Sequence, residues 1–397
     1  MITVQQQQLD SLLEQVAKSL DIPDDVHEEA VRKYEQVGHW LEGQDAANGR
    51  REPLVYPQGS FRLGTVIRPI TEKDEYDIDL VYERDLRKAS VSQEQLKEEA
   101  GEHLRSYVEH CRESHDEVPE LIEGRRCWRL DYPNRFHLDV LPAIPDDEGR
   151  EQWAEQADTK ILITDCDLHE WQHSNPIGYA EWFKGRMAVQ FQEKRVALAM
   201  ETKAATEDVP DYKVKTPLQR AIQILKRHRD FYFQDDEDRP ISIIIMTLAA
   251  KAYNNQASLV DALLTLVRDM PKHIETRRKN GNAVSWVPNP VNDEENFADK
   301  WEDNPQREVK FRKWLKKVDD DLTAALQGGG IHKVIDLLGT SLGSTTVTKA
   351  AAALGHQAKA ERQSGNLKMA SGTGMLGAAG DVTVKEHTFY GVDEESD

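Results

Sequence analysis

The sequence predicts an α+β protein in which a region with a mixed sheet is followed by a helical region. Between about residues 54 and 145, strand-like alternation of apolar and polar residues surrounds one helical stretch. Beyond about residue 216 the apolar residues recur at helical spacing. We therefore expect N-terminal helices over 1–45, a sheet-containing core over 46–205, a helical lobe over 206–340 and a flexible tail rich in Gly, Ser and Ala over 341–397.

Two amphipathic helices are expected at the N-terminus. Apolar residues from Leu9 to Leu20 follow the i, i+3, i+4 pattern of one helical face. The sequence IPDD then ends this helix. Its proline and aspartates favour the start of a new helix directly after it. The second helix should run over 24–42.

The core should contain two strands that carry acidic residues. Between residues 76 and 81 acids alternate with apolar residues, which places Asp77 and Asp79 on one face of a strand. A second alternating stretch, FHLDVL, carries Asp139. It follows the stretch CWRLDY across Pro133-Asn134, which favours an antiparallel hairpin. If the Asp139 strand pairs beside the first strand, the three acids form one cluster.

Further helices are indicated by periodicity and by start signals. One covers about 92–112 inside the core, and Ser174-Asn175-Pro176 favours the start of another. Residues 286–304 are rich in Pro and Asn and predict a loop. The remaining helices of the helical lobe are expected to start near 216 and to cover 240–253, 259–270 and 306–327.

Composition excludes several classes of protein. The chain has 397 residues and a formal net charge of −20, which disfavours an extended binding surface for duplex nucleic acid. We find no apolar run of the roughly 18–20 residues that a membrane span requires and no secretory signal, so we expect a cytoplasmic protein. Three scattered cysteines do not suggest a disulfide framework, and Cys166, His169 and His173 lack a fourth zinc ligand.

The acidic strands point to cation chemistry. Two carboxylates that lie a few ångströms apart repel each other unless a cation lies between them. Mg²⁺ prefers oxygen ligands and keeps positions open for substrate phosphates. Asp-x-Asp alone is more often a solvated strand edge, but here it follows the small-residue turn Gly59-Ser60 and is joined by Asp139. The combination favours a metal-dependent nucleotidyl-transfer site.

The motifs of the chain resemble those of a known superfamily. With QGSFRLGT at 58–65, DEYDIDLVY at 74–82, FHLDVLPAIP at 136–145 and TPLQRAIQILKRHRD at 216–230, the sequence is similar to the DNA polymerase β-like nucleotidyltransferases. It resembles more closely the bacterial cGAS/DncV-like branch, over roughly residues 1–340. The segments SNPIGYAEWF at 174–183 and NPVNDEENFADKW at 289–301 add to this resemblance.

The resemblance implies a bilobal fold, with a mixed-sheet nucleotidyltransferase lobe, a helical C-terminal lobe and a cleft between them. It implies that Asp77, Asp79 and Asp139 hold two Mg²⁺ ions, for which Mn²⁺ can substitute, and that Asp139 helps to activate the attacking hydroxyl. Backbone amides near Gly59 and Ser60 would cradle the donor triphosphate, since glycine permits close approach.

Other nucleotide-binding candidates carry ordinary alternatives. Gln58, which directly precedes Gly59, is one candidate for nucleotide binding. Lys226 is a second, and it is equally consistent with the solvated face of a basic helix. Ser242 is a third, and it is equally consistent with a helix cap. Among the weaker candidates, core packing is favoured over base stacking for Trp171 and Tyr179, and surface solvation is the alternative for Arg62 and Arg68. Asn296 and Asp299 lie in a segment that is expected near the nucleotide.

The implied activity is the joining of NTPs, mostly ATP, into a cyclic di- or trinucleotide second messenger for anti-phage (CBASS) defence. Alternatives are a template-independent RNA nucleotidyltransferase, a linear oligoadenylate synthase, or an inactive binding protein, which the presence of all three acids disfavours. Partners expected from the resemblance are a HORMA-type regulator or a tail-modifying enzyme. The C-terminal sequence DEESD lacks the terminal glycine that tail conjugation would use.

Overall fold

The computed structural model describes residues 4–70, 75–132, 136–146, 159–167, 171–279, 281–328, 330–369, 376–377 and 382–384. Two large clusters of buried apolar residues divide the molecule into a sheet lobe and a helical lobe. The α+β class and the bilobal arrangement predicted from the sequence are therefore confirmed. Within the described residues, no helix combines the length and the apolar character that crossing a membrane requires.

The two N-terminal helices serve different lobes. Helix α1 (Val4–Ser19) buries its leucine stripe in the helical-lobe core. Helix α2 (Asp24–Ala47) starts after Pro23 and packs Val37 and Leu41 against the sheet. Both predicted helices exist, and the chain passes from one core to the other between them.

One sheet of seven strands forms the centre of the sheet lobe. Its main path runs in the order β1-β2-β5-β4-β3, and β6 and β7 extend it from β5. The strands are β1 (Leu54–Pro57), β2 (Tyr76–Glu83), β3 (Glu120–Glu123), β4 (Trp128–Tyr132), β5 (Phe136–Pro145), β6 (Ile161–Ile163) and β7 (Gln172–Ser174).

Strand pairing confirms both predictions about the acidic strands. Strand β5 pairs antiparallel with β4, as the hairpin prediction requires, although the turn itself lies outside the described residues. On its other side β5 pairs parallel with β2, so that Asp139 lies opposite Asp79. Helix α4 (Gln93–Glu113), which starts at a capping box on Ser92, covers one face of this sheet.

The helical lobe assembles long helices around Trp314 and Phe311, both of which are fully buried. Two short helices, α3 (Gly59–Arg62) and α9 (Lys300–Asp303), lie beside the cleft described below. The long helices are α5 (Pro176–Thr202), α6 (Pro217–Phe233), α7 (Ser242–Ala252), α8 (Leu259–Asp269), α10 (Gln306–Gln327), α11 (Ile331–Leu342) and α12 (Ser344–Gln363).

The lobe boundary differs from the one expected at residue 205. Asn175 caps the start of α5, and its side chain accepts a hydrogen bond from the Gly178 amide, as the start signal predicts. However, Tyr179 and Phe183 on α5 are buried in the core of the helical lobe. Packing therefore assigns α5 to the helical lobe and moves the boundary to the start of this helix.

The tail prediction was wrong for residues 341–363. Helix α12 occupies most of this segment and buries Val347 and Ala350 against the helical-lobe core. Alanine has the highest helix propensity, so an alanine-rich segment with a few apolar side chains can form a docked helix. A docking segment that we considered at His387–Tyr390 lies outside the described residues.

The segment expected to be a loop over 286–304 forms short strands instead. It contributes to two hairpins and to α9, and it reaches the cleft between the lobes. The strands of these hairpins are β8 (Glu275–Lys279), β9 (Asn282–Trp286), β10 (Pro288–Asn289) and β11 (Asn292–Asn296).

Candidate active site

A deep cleft lies between the sheet and the helical lobe. Its main cavity has a volume of about 1120 Å³, and a side cavity of about 240 Å³ shares part of its lining. Asp79 from β2 lines both cavities, whereas Asp139 from β5 lines the main one. Ile243, Glu295 and Phe297 approach from the opposite side and line both.

The predicted acids are brought together by the parallel pairing of β2 and β5. In this register Asp79 lies opposite Asp139, and Asp77 lies opposite His137. Asp77, His137 and Asp139 each offer one ligand atom, and these atoms lie within 4.8 Å of one another. His137 was missed by the sequence analysis, although its place two residues before Asp139 predicts the same strand face.

Electrostatics at the cluster show an excess of negative charge around Asp79. Burial, reinforced by the charges of Asp77 and Asp139, raises the pKa of Asp79 to about 7. Burial also acts to raise the pKa of Asp77, but the hydrogen bond and charge of His137 outweigh it and lower that pKa. The Nε2 atom of His137 lies 3.2 Å from Asp77 Oδ1.

Arg129 on β4 orients Asp139 from the neighbouring strand. Its Nε and Nη2 atoms donate to the two carboxylate oxygens at 2.7 and 2.9 Å. The pair is the antiparallel cross-strand neighbour that the β4–β5 register dictates. A carboxylate has about four acceptor positions, so both oxygens keep a lone pair for a cation.

These residues fit the divalent cation that the fold family implies. The carboxylate oxygens form a donor set suited to Mg²⁺ or Mn²⁺. The raised pKa of Asp79 indicates that a nearby positive charge would stabilise its ionised form. Asp77, Asp79 and Asp139 are the proposed ligands; Asp77 and Asp139 group with His137, and Asp79 lies opposite Asp139 across the strand pair.

The Gly59 segment forms the wall of the side cavity next to Asp79. Gly59 has a φ of +61°, and a Cβ atom there would overlap Asp79 Oδ2. The Gln58 amide donates to the Asp79 carbonyl at 2.8 Å. The predicted Gly-Ser turn is in fact the first turn of α3, which gives the segment the free backbone N–H groups of a helix start.

We expect Gly59→Ala to lower turnover by about 100-fold, because a displaced Asp79 or phosphate cradle misaligns the reacting groups. Gly49→Ala is the matched control, since Gly49 has a φ of +69° with open space around it. It should cost about 1–2 kcal/mol of stability and leave turnover unchanged. Steady-state kinetics and urea denaturation of both variants check this prediction, and equal losses of turnover would contradict it.

The structure does not bring the other predicted nucleotide-binding residues equally close to the cleft. Gln58 lines both cavities, but Lys226 is buried and donates to the Thr65 carbonyl at 3.0 Å. Burial and the charge of Arg229 lower the pKa of Lys226 to about 7, against the opposing charges of acids that include Asp77. Ser242 accepts a hydrogen bond from Arg229 at 3.0 Å.

The weaker candidates divide into cleft and core residues. Arg62 and Tyr179 line the side cavity, and the Tyr179 hydroxyl lies 2.8 Å from Thr247 in the helical-lobe core. Asn296 and Asp299 line the main cavity, where the Asn296 side chain braces the hairpin through the Val287 amide. Two candidates are absent from the described lining of both cavities, namely Arg68 and Trp171.

A pair of cleft arginines was missed by the sequence analysis. Arg125 and Arg126 line the main cavity, and the buried carboxylate of Asp165 binds the Nε atoms of both at 2.8 and 2.7 Å. Lys160, Lys279 and Lys300 also line this cavity. Such cations can neutralise phosphates within a chain of net charge −20. The Arg-Arg dipeptide before a strand was the available signal.

Comparison with known proteins agrees with this geometry. Residues 53–142, which contain Gly59, both β2 aspartates and Asp139, match the family described as the nucleotidyltransferase domain of DncV-like cyclic GMP-AMP synthases. The chain is 29% identical over 388 residues to a c-di-GMP synthase of Roseivirga ehrenbergii, with 97% of each chain covered. It is 26% identical over 414 residues to the cyclic dinucleotide synthase CdnG of Bradyrhizobium diazoefficiens, covering 96% of this chain and 94% of CdnG.

Solved structures have the same fold. The Bradyrhizobium diazoefficiens CdnG structure in complex with GTP has a TM-score of 0.68 and 24% identity, and covers 88% of this chain and 99% of that chain. Escherichia coli DncV in its 3′-deoxy GTP bound form has a TM-score of 0.56 and 14% identity, and the match covers 84% of this chain and 94% of that chain.

The fold and the acidic cleft thus define a nucleotidyltransferase of the DNA polymerase β-like superfamily. Within that superfamily, residues 53–142 match the DncV-like nucleotidyltransferase domain, and the chain is similar over nearly its whole length to two cyclic dinucleotide synthases.

Proposed function

We propose that this enzyme joins two nucleoside triphosphates into a cyclic dinucleotide. Support comes from the grouping of Asp77 with Asp139 and from the position of Asp79, which lies opposite Asp139 and against Gly59. Similarity to cyclic dinucleotide synthases over nearly the whole chain supports it too. In each step a ribose hydroxyl oxygen bonds to the α-phosphorus of another nucleotide, and pyrophosphate and a proton leave. Two such steps close the ring.

Different residues of the cleft have different roles in this reaction. The three aspartates hold the divalent cations, which when bound supply charge neutralisation and polarise the reacting oxygens. The amides of the Gly59 segment hold the donor triphosphate, and Arg125 and Arg126 offset phosphate charge in the main cavity. Arg129 keeps the Asp139 carboxylate oriented between the two strands.

The second part of the proposal concerns which nucleoside triphosphates the enzyme uses. The sequence led us to expect mostly ATP, and that expectation stays a prediction. The named relatives include a c-di-GMP synthase and a CdnG solved with GTP, and they favour GTP instead. We therefore propose that GTP is a substrate, with ATP as the other candidate.

Product analysis tests the proposed function. Purified protein is incubated with the four NTPs and Mg²⁺ or Mn²⁺, and the phosphatase-treated products are identified by mass spectrometry. We expect a phosphatase-resistant product with the mass of a cyclic dinucleotide that contains guanine, and none after chelation of the metal. A phosphatase-sensitive ladder would instead indicate a linear oligonucleotide synthase or an RNA-tailing enzyme and would overturn the proposal.

The cellular role follows from the product. We propose that the cyclic dinucleotide is a second messenger in anti-phage defence within the cytoplasm. A HORMA-type partner is a further proposal, supported by the fold shared with Escherichia coli CdnC, which is solved in a complex with HORMA (TM-score 0.59, 13% identity, 84% of this chain and 96% of that chain). A modifying enzyme acting on the tail is the alternative regulator. Phage plaque counts with the wild-type protein and an inactive variant test the role.

A further inference from the structure

The side cavity beside the phosphate-binding segment has the lining of a base pocket. It begins at Gly59 and Asp79 and extends to Leu63, Ile243 and Phe297, which supply an apolar surface for an aromatic ring. Its volume of about 240 Å³ accommodates a nucleobase whose triphosphate lies on the Gly59 amides. Polar side chains in this lining therefore face the edge of that base.

Most of the polar groups on the helical-lobe side are already committed to the fold. The Asn175 carbonyl oxygen accepts from the Gly178 amide and caps α5. The Asn289 carbonyl oxygen accepts from the Val291 amide, and its Nδ2 donates to Glu295 Oε2 at 2.7 Å. The carbonyl oxygen of each amide therefore already accepts a backbone hydrogen bond, whereas an amide N–H can only donate to a base.

Glu295 is different because most of its acceptor positions are free. A carboxylate has about four such positions, and the hydrogen bond from Asn289 uses one of them. Among the described residues no Lys, Arg or His lies within 4.0 Å of Glu295; burial raises the pKa of this carboxyl, although the hydrogen bond from Asn289 and the more distant charges of Arg126 and His173 act to lower it. A half-buried carboxylate without an ionic partner is stabilised by ligand donors that reach it.

We propose that Glu295 selects guanine in the side cavity by accepting hydrogen bonds from its N1–H and its 2-amino group. Guanine presents these two donors side by side, which matches the two oxygens of one carboxylate. Adenine presents its N1 acceptor there, so a lone pair would face the carboxylate without a proton between them. The assignment rests on the proposed function, because it supplies the base choice for the same site.

The substitution Glu295→Gln separates this role from a structural one. The glutamine oxygen can still accept from Asn289 and keep the β10–β11 hairpin closed, whereas the second position changes from an acceptor to an NH₂ donor. That donor opposes the guanine 2-amino group and suits the adenine N1 atom. Glu275→Gln on β8 is the matched control, since Glu275 is an exposed acid of the neighbouring hairpin and pairs with Arg277.

Equilibrium binding of non-hydrolysable GTP and ATP analogues, in the presence of Mg²⁺, measures base choice without turnover. We expect the wild-type protein to prefer the GTP analogue by about tenfold or more, and Glu295→Gln to shift the ratio of the two affinities at least about thirtyfold towards ATP. The inosine analogue, which lacks the 2-amino group, should bind the wild type more weakly than GTP does. Glu275→Gln should preserve the wild-type ratio.

Two results would refute different claims. If the wild type binds the analogues but Glu295→Gln weakens both equally, Glu295 only braces the hairpin and the guanine assignment is overturned. If the wild type binds no nucleotide analogue while remaining folded by circular dichroism, the proposed function itself fails and the assignment fails with it. Binding with the expected ratios supports Glu295 even where turnover requires an activating partner.

Discussion

Asp77→Asn and Asp139→Asn should each lower nucleotidyl transfer by at least about 1,000-fold. Each carboxylate is a proposed ligand of the divalent cations, whose charge stabilisation is worth several kcal/mol in the transition state, and each 1.36 kcal/mol corresponds to tenfold in rate. Asparagine keeps the shape of the side chain but weakens the cation site. Pyrophosphate release and product mass under saturating NTPs measure the loss.

Thermal unfolding of Asp77→Asn and Asp139→Asn in EDTA, beside Asp79→Asn, separates loss of the cation site from unfolding. Asp79 lies against two like charges, so Asp79→Asn should unfold in EDTA at a temperature equal to or above that of the wild type. Asp336→Asn, at an exposed position on α11, serves as the control and should keep full activity. Turnover within tenfold of the wild type in both cluster variants would contradict their assignment as metal ligands.

Arg84→Met should destabilise the protein by about 3–5 kcal/mol, because it leaves a buried carboxylate without its main partner. Arg84 follows β2 directly, and its guanidinium contacts Asp45 on α2 at 2.7 Å, with both side chains 1% exposed. A second contact joins Arg84 to Glu99 on α4 at 2.9 Å. These contacts tie the end of the acidic strand to the two helices that pack on its sheet.

An exposed ion pair provides the comparison for this variant. Arg51 lies 3.0 Å from Asp85, with side chains 86% and 46% exposed, so Arg51→Met should change stability by less than about 1 kcal/mol. The double variant Asp45→Leu/Arg84→Met should recover much of the loss, since an apolar pair carries no desolvation penalty. Urea denaturation gives all three values, and equal effects of Arg84→Met and Arg51→Met would contradict the role of the buried pair.

The acidic cluster could be predicted because local patterns determine it. Alternation placed Asp77 and Asp79 on one strand face and Asp139 on another strand, and only the pairing of the two strands remained to be established. Arg129 could not be assigned to Asp139 in the same way. Its contact depends on the register across the β4–β5 hairpin, which a single sequence specifies weakly.

Two other features show where sequence patterns were insufficient. Glu295 belongs to a polar run without alternation, so its strand was read as a loop and its position in the cleft was not foreseen. Helix α12 was read as a flexible tail because its composition is simple, although a few apolar residues such as Val347 dock it. In both segments tertiary contacts, rather than local periodicity, determine the structure.

The central claim is that the three aspartates form the cation site at which nucleotides are joined. The most direct measurement is a crystal structure with Mn²⁺ and a non-hydrolysable GTP analogue, in which anomalous scattering locates the metal. We predict an anomalous peak bounded by Asp77, Asp79 and Asp139, with the triphosphate on the Gly59 amides. A bound nucleotide whose metal peak lies away from these carboxylates would contradict the account.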